Sequence, residues 1–222
     1  NRNYTHRFTF YHGTGVSKKG WAFAFAGSRR WADEGYVPGT YYDGWSYFAA
    51  VDKRLNSKHL LSLIAFGAPT ETGRQTAAVQ EAMDLAGTNY YNPAWGWQNG
   101  KKRNANTAKT HQPYLILNHE FRLNNNTTWT TAAGYSSGER ATTALDWYNA
   151  ADPRRDYYRY LPSYTLDPVW QEQIRNTILA NPDLLQVDWQ RLYESNRTDT
   201  TNVIGGNVVN GKRNGEQPPQ LD

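Results

Sequence analysis

Three acidic residues lie near one another in the first part of the chain, beside several aromatic residues. The acids are Asp33, Glu34 and Asp43, and the aromatic neighbours are Trp31, Tyr36, Tyr41 and Tyr42. Two carboxyl groups beside aromatic platforms are what a glycoside hydrolase needs, one as acid and one as base or nucleophile. The sequence fixes no distance between these groups, however, and Arg29 and Arg30 could pair with them. We therefore predict that the chain is not an enzyme. The alternative is a glycoside hydrolase in which Asp33 and Glu34 form the acid–base pair.

The histidines are too scattered to predict a metal site. They are His6, His12, His59, His111 and His119. His6 and His12 share one face of a predicted strand, but at about 3.3 Å per residue they lie roughly 20 Å apart, which is too far to bind one ion. The chain has no Cys, which excludes disulfides, thiolate metal sites and a cysteine nucleophile. We predict neither a metal nor any other cofactor.

The aromatic residues between the predicted strands suggest binding. Aromatic rings offer large rigid contact surfaces, and arginines add fixed positive charge. The alternative is that these rings pack on one another. The residues predicted to bind a ligand on loops are Arg29, Arg30, Trp31, Tyr36, Tyr41, Trp95, Trp97 and Arg159.

Charge and composition narrow the classes of function. The 24 Lys and Arg against 20 Asp and Glu give a net charge of +4, which is too weakly basic to predict a nucleic-acid partner. Apolar residues make up 38% and aromatic residues 14% of the 222 residues, whereas about 45–50% apolar is usual for globular domains. No apolar run approaches the roughly 18 residues that mark a membrane-spanning helix. The chain is rich in amphipathic rings and poor in aliphatic core.

The sequence predicts about six β-strands, which short turns join in pairs. In the second strand Trp21, Phe23 and Phe25 share one face, and small alanines occupy the other, as the two-residue period of a strand requires. Tight turns are predicted at residues 17–20, 56–58 and 124–126. The predicted strands are residues 4–14, 21–27, 45–55, 59–66, 113–123 and 127–137.

Long polar connections at residues 28–44, 69–112 and 138–222 separate the other strands. Compact domains prefer connections of about 4–6 residues, whereas outer-membrane β-barrels combine short periplasmic turns with long extracellular loops. The predicted fold class is therefore all-β, an antiparallel transmembrane β-barrel segment of about six strands from a larger barrel. Its larger side chains would face lipid and the opposite row the lumen. Short helices are predicted in the loops at residues 76–85, 168–179 and 182–193, and an irregular tail at residues 202–222.

Five segments also resemble the barrel of TonB-dependent outer-membrane receptors, especially the large receptors of Bacteroidetes-type bacteria. The resemblance covers nearly the whole chain and is specific to this group of receptors. It is less specific about which substrate is bound. The segments are GWAFAFAGSRRW at 20–31, EGYVPGTYYDG at 34–44, YNPAWGWQNGKKRN at 91–104, DYYRYLPSY at 156–164 and VDWQRLY at 187–193.

The resemblance implies a bacterial outer-membrane receptor that imports a nutrient ligand with energy supplied through TonB. Such receptors form a barrel of about 22 strands with a plugged lumen. No plug-like segment is found in residues 1–222, so we expect an internal part of the barrel. The expected partners are outer-membrane lipid, the remaining strands and plug of the same receptor, TonB, the imported ligand and a surface lipoprotein lid.

A secreted β-sandwich that binds carbohydrate is the main alternative. It would use the same aromatic loops as sugar platforms and would need no membrane. The two architectures place the large side chains differently. In a sandwich Trp21, Phe23, Phe25, Leu115 and Leu117 would be buried between two sheets, whereas in a barrel segment they would be exposed.

Overall fold

The computed structural model describes residues 4–146, 152–198, 201–204 and 207–210. The chain divides into two compact units. Unit 1 consists of Asn1–Asp33, Tyr41–Thr72 and Ala108–Ala141, and unit 2 of Glu34–Thr40, Gly73–Thr107 and Thr142–Asp222.

Among the described residues, strands are more numerous than helices and cover more of the chain. The elements are β1 (His6–Gly13), β2 (Trp21–Ala32), β3 (Tyr41–Arg54), β4 (His59–Gly67), β5 (Thr70–Gly73), α1 (Gln80–Ala86), β6 (Trp95–Gln98), β7 (Lys101–Asn104), β8 (Thr107–His111), β9 (Tyr114–Arg122), β10 (Thr128–Ser136), β11 (Glu139–Thr142), α2 (Pro168–Ala180), α3 (Trp189–Thr198), β12 (Thr201–Ile204) and β13 (Asn207–Asn210). Short 3-10 helices cover Tyr158–Tyr160, Pro162–Tyr164 and Pro182–Leu185.

Nine strands form one sheet, and its main part is a row of six antiparallel strands in the order β1, β2, β3, β4, β9, β10. One register line shows the pairing from β2 to β10. It runs from Phe23 to Val51, then to Leu63, Leu117 and Ala133. The prediction of an antiparallel all-β fold is confirmed.

Three further strands extend this sheet beyond a line of breaks. In this extension β5, β8 and β11 follow β3 in the same way as β4, β9 and β10 follow it in the main row. Just past the last residue pair of β3 and β4, Trp45 N donates to Pro69 O (2.8 Å). The breaks fall at Ala68-Pro69, Gln112-Pro113 and Ser137-Gly138. Proline interrupts a β-ladder because it has no N–H to donate. We call β5, β8 and β11 the outer extension of the sheet.

The main row has one face dominated by large apolar side chains, which we call the apolar face. The paired registers place every second residue on it, the odd-numbered residues of β2, β3, β4, β9 and β10 and the even-numbered residues of β1. The opposite face carries mostly small or polar residues such as Ala22, Ser28 and Asn118, with a strip of larger ones around Phe48 and Phe66. The apolar face includes Phe8, Phe10, Phe23, Phe25, Val51, Leu61, Leu63, Leu115, Leu117, Phe121 and Tyr135.

Neither face of this sheet is a protein core. Phe23 is 45% exposed and Leu117 is 50% exposed, and every residue of β1 and β10 is exposed. Among the described residues of unit 1, Ala32 is the one buried apolar residue. Since burial of apolar surface drives folding in water, the sheet needs further cover that these residues do not provide.

Unit 2 contains two apolar cores. One core brings together α1, α2 and the 3-10 segments through Ala82, Leu85, Tyr91, Leu161, Ile178 and Leu185. The other consists of Ala105, Val187, Trp189 and Leu192. The hairpin of β6 and β7 lies beside this second core, because Val187 N donates to Trp95 O at 2.9 Å.

The helices match the sequence predictions unevenly. Gly87 ends α1 in the left-handed region (φ 67°), as predicted, but α1 begins at Gln80 instead of residue 76. The prediction of α2 is accurate to one residue, with Asp167 accepting a hydrogen bond from Val169 N at its start. The single helix predicted at 182–193 is wrong. A 3-10 turn and an extended stretch at Gln186–Asp188 precede α3, because Val187 bonds to Trp95 instead of continuing a helix.

Several predicted loops are shorter than expected. β2 continues to Ala32 and β3 begins at Tyr41, so the connection between them covers residues 33–40 and not 28–44. The stretches 69–112 and 138–222 contain β5 to β8 and β11 to β13 in addition to helices. Of the tail predicted to be irregular, residues 202–204 and 207–210 lie in β12 and β13, and the remainder lies outside the described residues. Among the described helices, none combines the length and the apolar character that crossing a membrane requires.

Candidate functional site

The structure places most of the predicted binding residues on strands and not on loops. Arg29, Arg30 and Trp31 lie on β2, and Tyr41 is the first residue of β3. Trp95 and Trp97 lie on β6, and Arg159 lies in a 3-10 helix. Tyr36 alone of the eight lies in a loop. Arg29, Arg30, Trp31 and Tyr41 belong to unit 1 and the other four to unit 2, so the eight residues fall into two groups, one in each unit.

In unit 1, Arg29 is held by an acid and two indole rings. Its guanidinium lies 5.2 Å from the ring of Trp31 and 4.8 Å from that of Trp45, and it bonds to Asp43 at 3.1 Å. Register pairing places Arg29 opposite Trp45 and Trp31 opposite Asp43. The Arg29 guanidinium is therefore already engaged in cation–π contacts with two indole rings and in an ion pair with Asp43.

Arg30 and Tyr41 also have partners within unit 1. Arg30 lies on the opposite face from Arg29, with its guanidinium 5.9 Å from the ring of Tyr4, and its Nε is buried without a hydrogen bond. Tyr41 donates its hydroxyl hydrogen to Glu71 at 2.7 Å. These contacts make both residues parts of the sheet surface.

In unit 2, a tryptophan–lysine cluster forms on the hairpin of β6 and β7, and consists of Trp95, Trp97, Lys102 and Glu34. The Lys102 ammonium lies 4.8 Å from the Trp95 ring and 5.6 Å from the Trp97 ring. It also donates to Glu34 Oε1 at 2.6 Å. Trp95 is only 6% exposed, whereas Trp97 is 47% exposed. Trp97 is the ring that a ligand can reach, and Trp95 supports it.

The Glu34 carboxylate is held in its ionised form. Partial burial acts to raise its pKa, but hydrogen bonds from Lys102 and from Gly39 N–H, with the charge of Lys102, lower the pKa below the ordinary value. A general acid in glycoside hydrolysis needs a raised pKa. Glu34 has the opposite electrostatics, so within the acid–base alternative of Asp33 and Glu34 it does not suit the role of the acid.

The loop at residues 34–40 is fixed by a tight turn. Thr40 N donates to Val37 O at 3.2 Å, and Gly39 has φ 75°, so Pro38 and Gly39 occupy the turn positions that favour these two residue types. Gly39 lies directly against the Trp95 ring, which leaves no space for a Cβ atom. The turn thereby sets the position of Glu34 relative to Lys102.

Two buried asparagines hold this loop in place, and they are absent from the residues predicted from sequence. Asn92 donates to Pro38 O at 3.0 Å and accepts from Ala94 N at 3.1 Å. Asn104 donates to Gly39 O at 2.7 Å and to Arg74 O at 2.9 Å. Such buried amides need full hydrogen bonding. No sequence signal distinguishes them from the other asparagines of the chain.

Exposed and half-buried tyrosines form two further surfaces on unit 2. Tyr36, 77% exposed, meets Tyr90 edge to face with ring centroids 5.6 Å apart. A tyrosine cluster, made of Tyr157, Tyr158, Tyr160 and Tyr164, has edge-to-face contacts between 4.8 and 5.6 Å. Arg159 donates to the Tyr158 hydroxyl at 3.1 Å, and this hydrogen bond lowers the pKa of Tyr158. Both surfaces offer aromatic contact area, and Arg159 adds fixed charge beside the tyrosine cluster.

Arg103 is a structural residue. Its guanidinium lies 4.2 Å from the Trp189 ring and donates to the Tyr193 hydroxyl and to Gln98. It therefore ties β7 to the start of α3 within unit 2. Of the described residues, no group of three His, Cys, Asp or Glu side chains could hold a metal ion.

Compared with protein-family models, curated proteins and solved structures, the chain matches none of them.

Proposed function

We propose that the chain is part of the β-barrel wall of an outer-membrane, TonB-dependent receptor that captures a nutrient ligand and imports it. The observation that carries the proposal is the uncovered apolar face of a single-layer sheet. Trp21, Phe23 and Leu117 are between 39% and 50% exposed. In water such a surface is unfavourable at about 25 cal/mol per Å², whereas in a barrel wall the same side chains face acyl chains.

Aromatic and charged residues at the margins of the apolar face support this assignment. Trp31 and Trp45 lie at one end of the strands, and Trp21 and Trp129 at the other. Barrel proteins carry aromatic girdles at both lipid–water boundaries. On the side of Trp45, ionic residues such as Asp43 and Glu71 follow beyond the breaks of the sheet.

The connections between strands are asymmetric, as barrel topology requires. The turns after β1, β3 and β9 are short and lie at one end of the strands. At the opposite end the chain leaves the sheet after β2, β5 and β11, and these departures lead into the segments of unit 2. Short periplasmic turns and long extracellular segments are typical of outer-membrane barrels, so we assign the long connections that follow β2, β5 and β11 to the cell exterior.

Both ends of the strand order are open. β1 pairs only with β2, and β10 pairs only with β9 among the described strands. Unpaired strand edges are not tolerated in lipid. The remaining strands of the same receptor would pair with β1 and β10, its plug would fill the lumen, and TonB would act through that plug. Capture would use the exposed rings of unit 2, such as Trp97, Tyr36 and Tyr158, and a surface lipoprotein lid could cover them.

Adjacent cysteine substitutions test the wall assignment directly, because residues 1–222 contain no cysteine and any cysteine elsewhere in the receptor can first be replaced by serine. Leu117→Cys lies on the apolar face and Asn118→Cys on the opposite face of the same strand. In the full-length receptor, reconstituted in bilayers and labelled with a small fluorophore, we expect nitroxide-labelled lipid to quench position 117 several-fold more than position 118. Equal quenching at the two positions would show that neither side of β9 is selectively exposed to lipid.

The β-sandwich alternative predicts that the side chains of the apolar face are buried. A second sheet about 10 Å away would cover Phe23, Phe25 and Leu115. Each is between 45% and 46% exposed, and no second sheet of the described residues buries them. Good solubility of the full-length protein without detergent, combined with protection of position 117 from aqueous reagents, would favour the sandwich instead.

A further inference from the structure

A cleft lies on the apolar side of the sheet, immediately beyond the breaks that define the outer extension. It has a volume of about 360 Å³ and is open to solvent on one side. Four neighbouring strands, β3, β5, β8 and β11, contribute two or three lining residues each. The charged and aromatic residues that line it are Asp43, Trp45, Glu71, Lys109, His111 and Glu139.

The charges in this cleft do not balance. Asp43 is neutralised by Arg29 at 3.1 Å, and Glu71 by Lys109 at 3.1 Å. Within the described part of the chain Glu139 forms no ion pair, and it is exposed. The cleft thus keeps one free carboxylate. Lys109 is 63% exposed, so it can also reach an anionic group placed at the mouth of the cleft.

The position of the cleft limits which ligands can reach it. Tyr47 bonds to His111 at 3.0 Å, and both lie at the level where the apolar face ends, next to the half-exposed ring of Trp45. If the sheet is a barrel wall, as proposed above, this level coincides with the lipid headgroups and not with the acyl chains or the lumen. A metal ion does not fit, because no three acidic or histidine side chains of the described residues form a metal-binding group.

We propose that this cleft binds the zwitterionic aminoethyl-phosphate group of a lipid in the outer leaflet, and phosphatidylethanolamine, which carries the same group, serves as its probe. The ammonium would donate hydrogen bonds to Glu139, and the phosphate would lie beside Lys109. Charge-assisted hydrogen bonds of this kind are stronger than neutral ones, and Trp45 adds an amphipathic ring at the boundary between apolar and polar layers. The inference rests on the proposed wall function, because it requires lipid on this side of the sheet.

Lipid retention by the full-length receptor tests the proposal. The purified protein would be incubated in detergent with equal amounts of phosphatidylethanolamine and phosphatidylcholine, and the retained lipids would be counted by native mass spectrometry. The two headgroups carry the same charges, but the trimethylated ammonium of phosphatidylcholine cannot donate a hydrogen bond. We expect retention of phosphatidylethanolamine to exceed that of phosphatidylcholine by at least about fivefold, which corresponds to about 1 kcal/mol.

Two variants make the test specific. Glu139→Gln should reduce the preference to less than about twofold, whereas Glu120→Gln, on the opposite face of β9, should leave it unchanged. Equal retention of the two lipids by the unaltered receptor would overturn the proposal, and so would an undiminished preference in the Glu139→Gln variant. If position 117 is quenched by lipid but no preference is found, the headgroup site is wrong while the wall assignment stands.

Discussion

The ammonium of Lys102 lies 2.6 Å from carboxylate oxygen Oε1 of Glu34. This ion pair joins the hairpin of β6 and β7 to the loop at residues 34–40 inside unit 2, and it places a cation beside both the Trp95 and the Trp97 ring. Because the Glu34 side chain is 39% exposed, solvent screens the pair, and its contribution is in the modest range of surface ion pairs. The stability that this ion pair contributes should depend on pH, and that dependence can be measured.

Acidification should remove the stabilisation that Glu34 provides. Its folded-state pKa is lowered, so the stabilisation is fully present above the unfolded pKa of about 4.3 and is lost as pH falls through the lower folded pKa. We expect Glu34→Gln to be less stable than the unaltered receptor at pH 7, and the difference to disappear at strongly acidic pH. Thermal unfolding followed by tryptophan fluorescence measures this. If the stability of an Asp33→Asn control variant showed the same pH dependence as that of Glu34→Gln, the effect could not be assigned to Glu34.

The contact between Gly39 and the Trp95 ring should make Gly39→Ala markedly destabilising. A Cβ atom at residue 39 would overlap the ring, and overpacking of this kind costs about 1–3 kcal/mol. Gly100→Ala is a matched control, since Gly100 has nearly the same φ (74° against 75°) but no atom within 4 Å of the place that a Cβ atom would occupy. Denaturant unfolding or limited proteolysis of unit 2 compares the two variants. Equal losses would mean that backbone conformation alone, and not the Trp95 contact, determines the cost.

Removal of the segment between β5 and β8 should separate wall formation from ligand capture. Arg74 N donates to Asn106 O at 2.8 Å, so a two-residue turn could replace residues 75–105 without spreading the strands. In the full-length receptor we expect the variant to reach the outer membrane and to retain heat-dependent migration in gel electrophoresis. Uptake-dependent growth on mixed nutrient extracts should fall, because the replaced segment carries Trp97 and Tyr90.

The matched control for this deletion is Trp97→Ala, which keeps the whole segment. It should reduce growth in the same direction but to a smaller extent. If the shortened variant fails to insert while Trp97→Ala inserts normally, the segment is needed to build the wall and its role in capture is not supported.

The sequence predicts the sheet better than the structure around the candidate site, for physical reasons. Alternating large and small residues identify β2, because one face is apolar along Trp21–Phe25. The same strand continues through Arg29 and Arg30 to Ala32, where cation–π and ionic contacts replace the apolar pattern. Periodicity cannot detect that part of the strand, and this is why the pattern places Arg29, Arg30, Trp31 and Tyr41 on loops.

The hairpin of β6 and β7 is absent from the sequence predictions although the sequence contains its signal. Asn99-Gly100 separates two four-residue strands, both residues have positive φ, and this dipeptide is the strongest short-range indication of a tight hairpin. The pairing of Lys102 with Glu34, by contrast, joins residues 68 positions apart. Such a contact depends on tertiary packing around Gly39 and Asn104, which no local pattern encodes.

The three breaks at Ala68-Pro69, Gln112-Pro113 and Ser137-Gly138 face one another across neighbouring strands, as the registers of β4, β9 and β10 show. Among the described strands, β1, β2 and β3 cross this level without interruption. Of these three, β3 is the strand that pairs with β5. A mechanical load applied to the outer extension therefore passes into the rest of the sheet mainly through β3, which is the shortest route by which a pull on one end could strain the other.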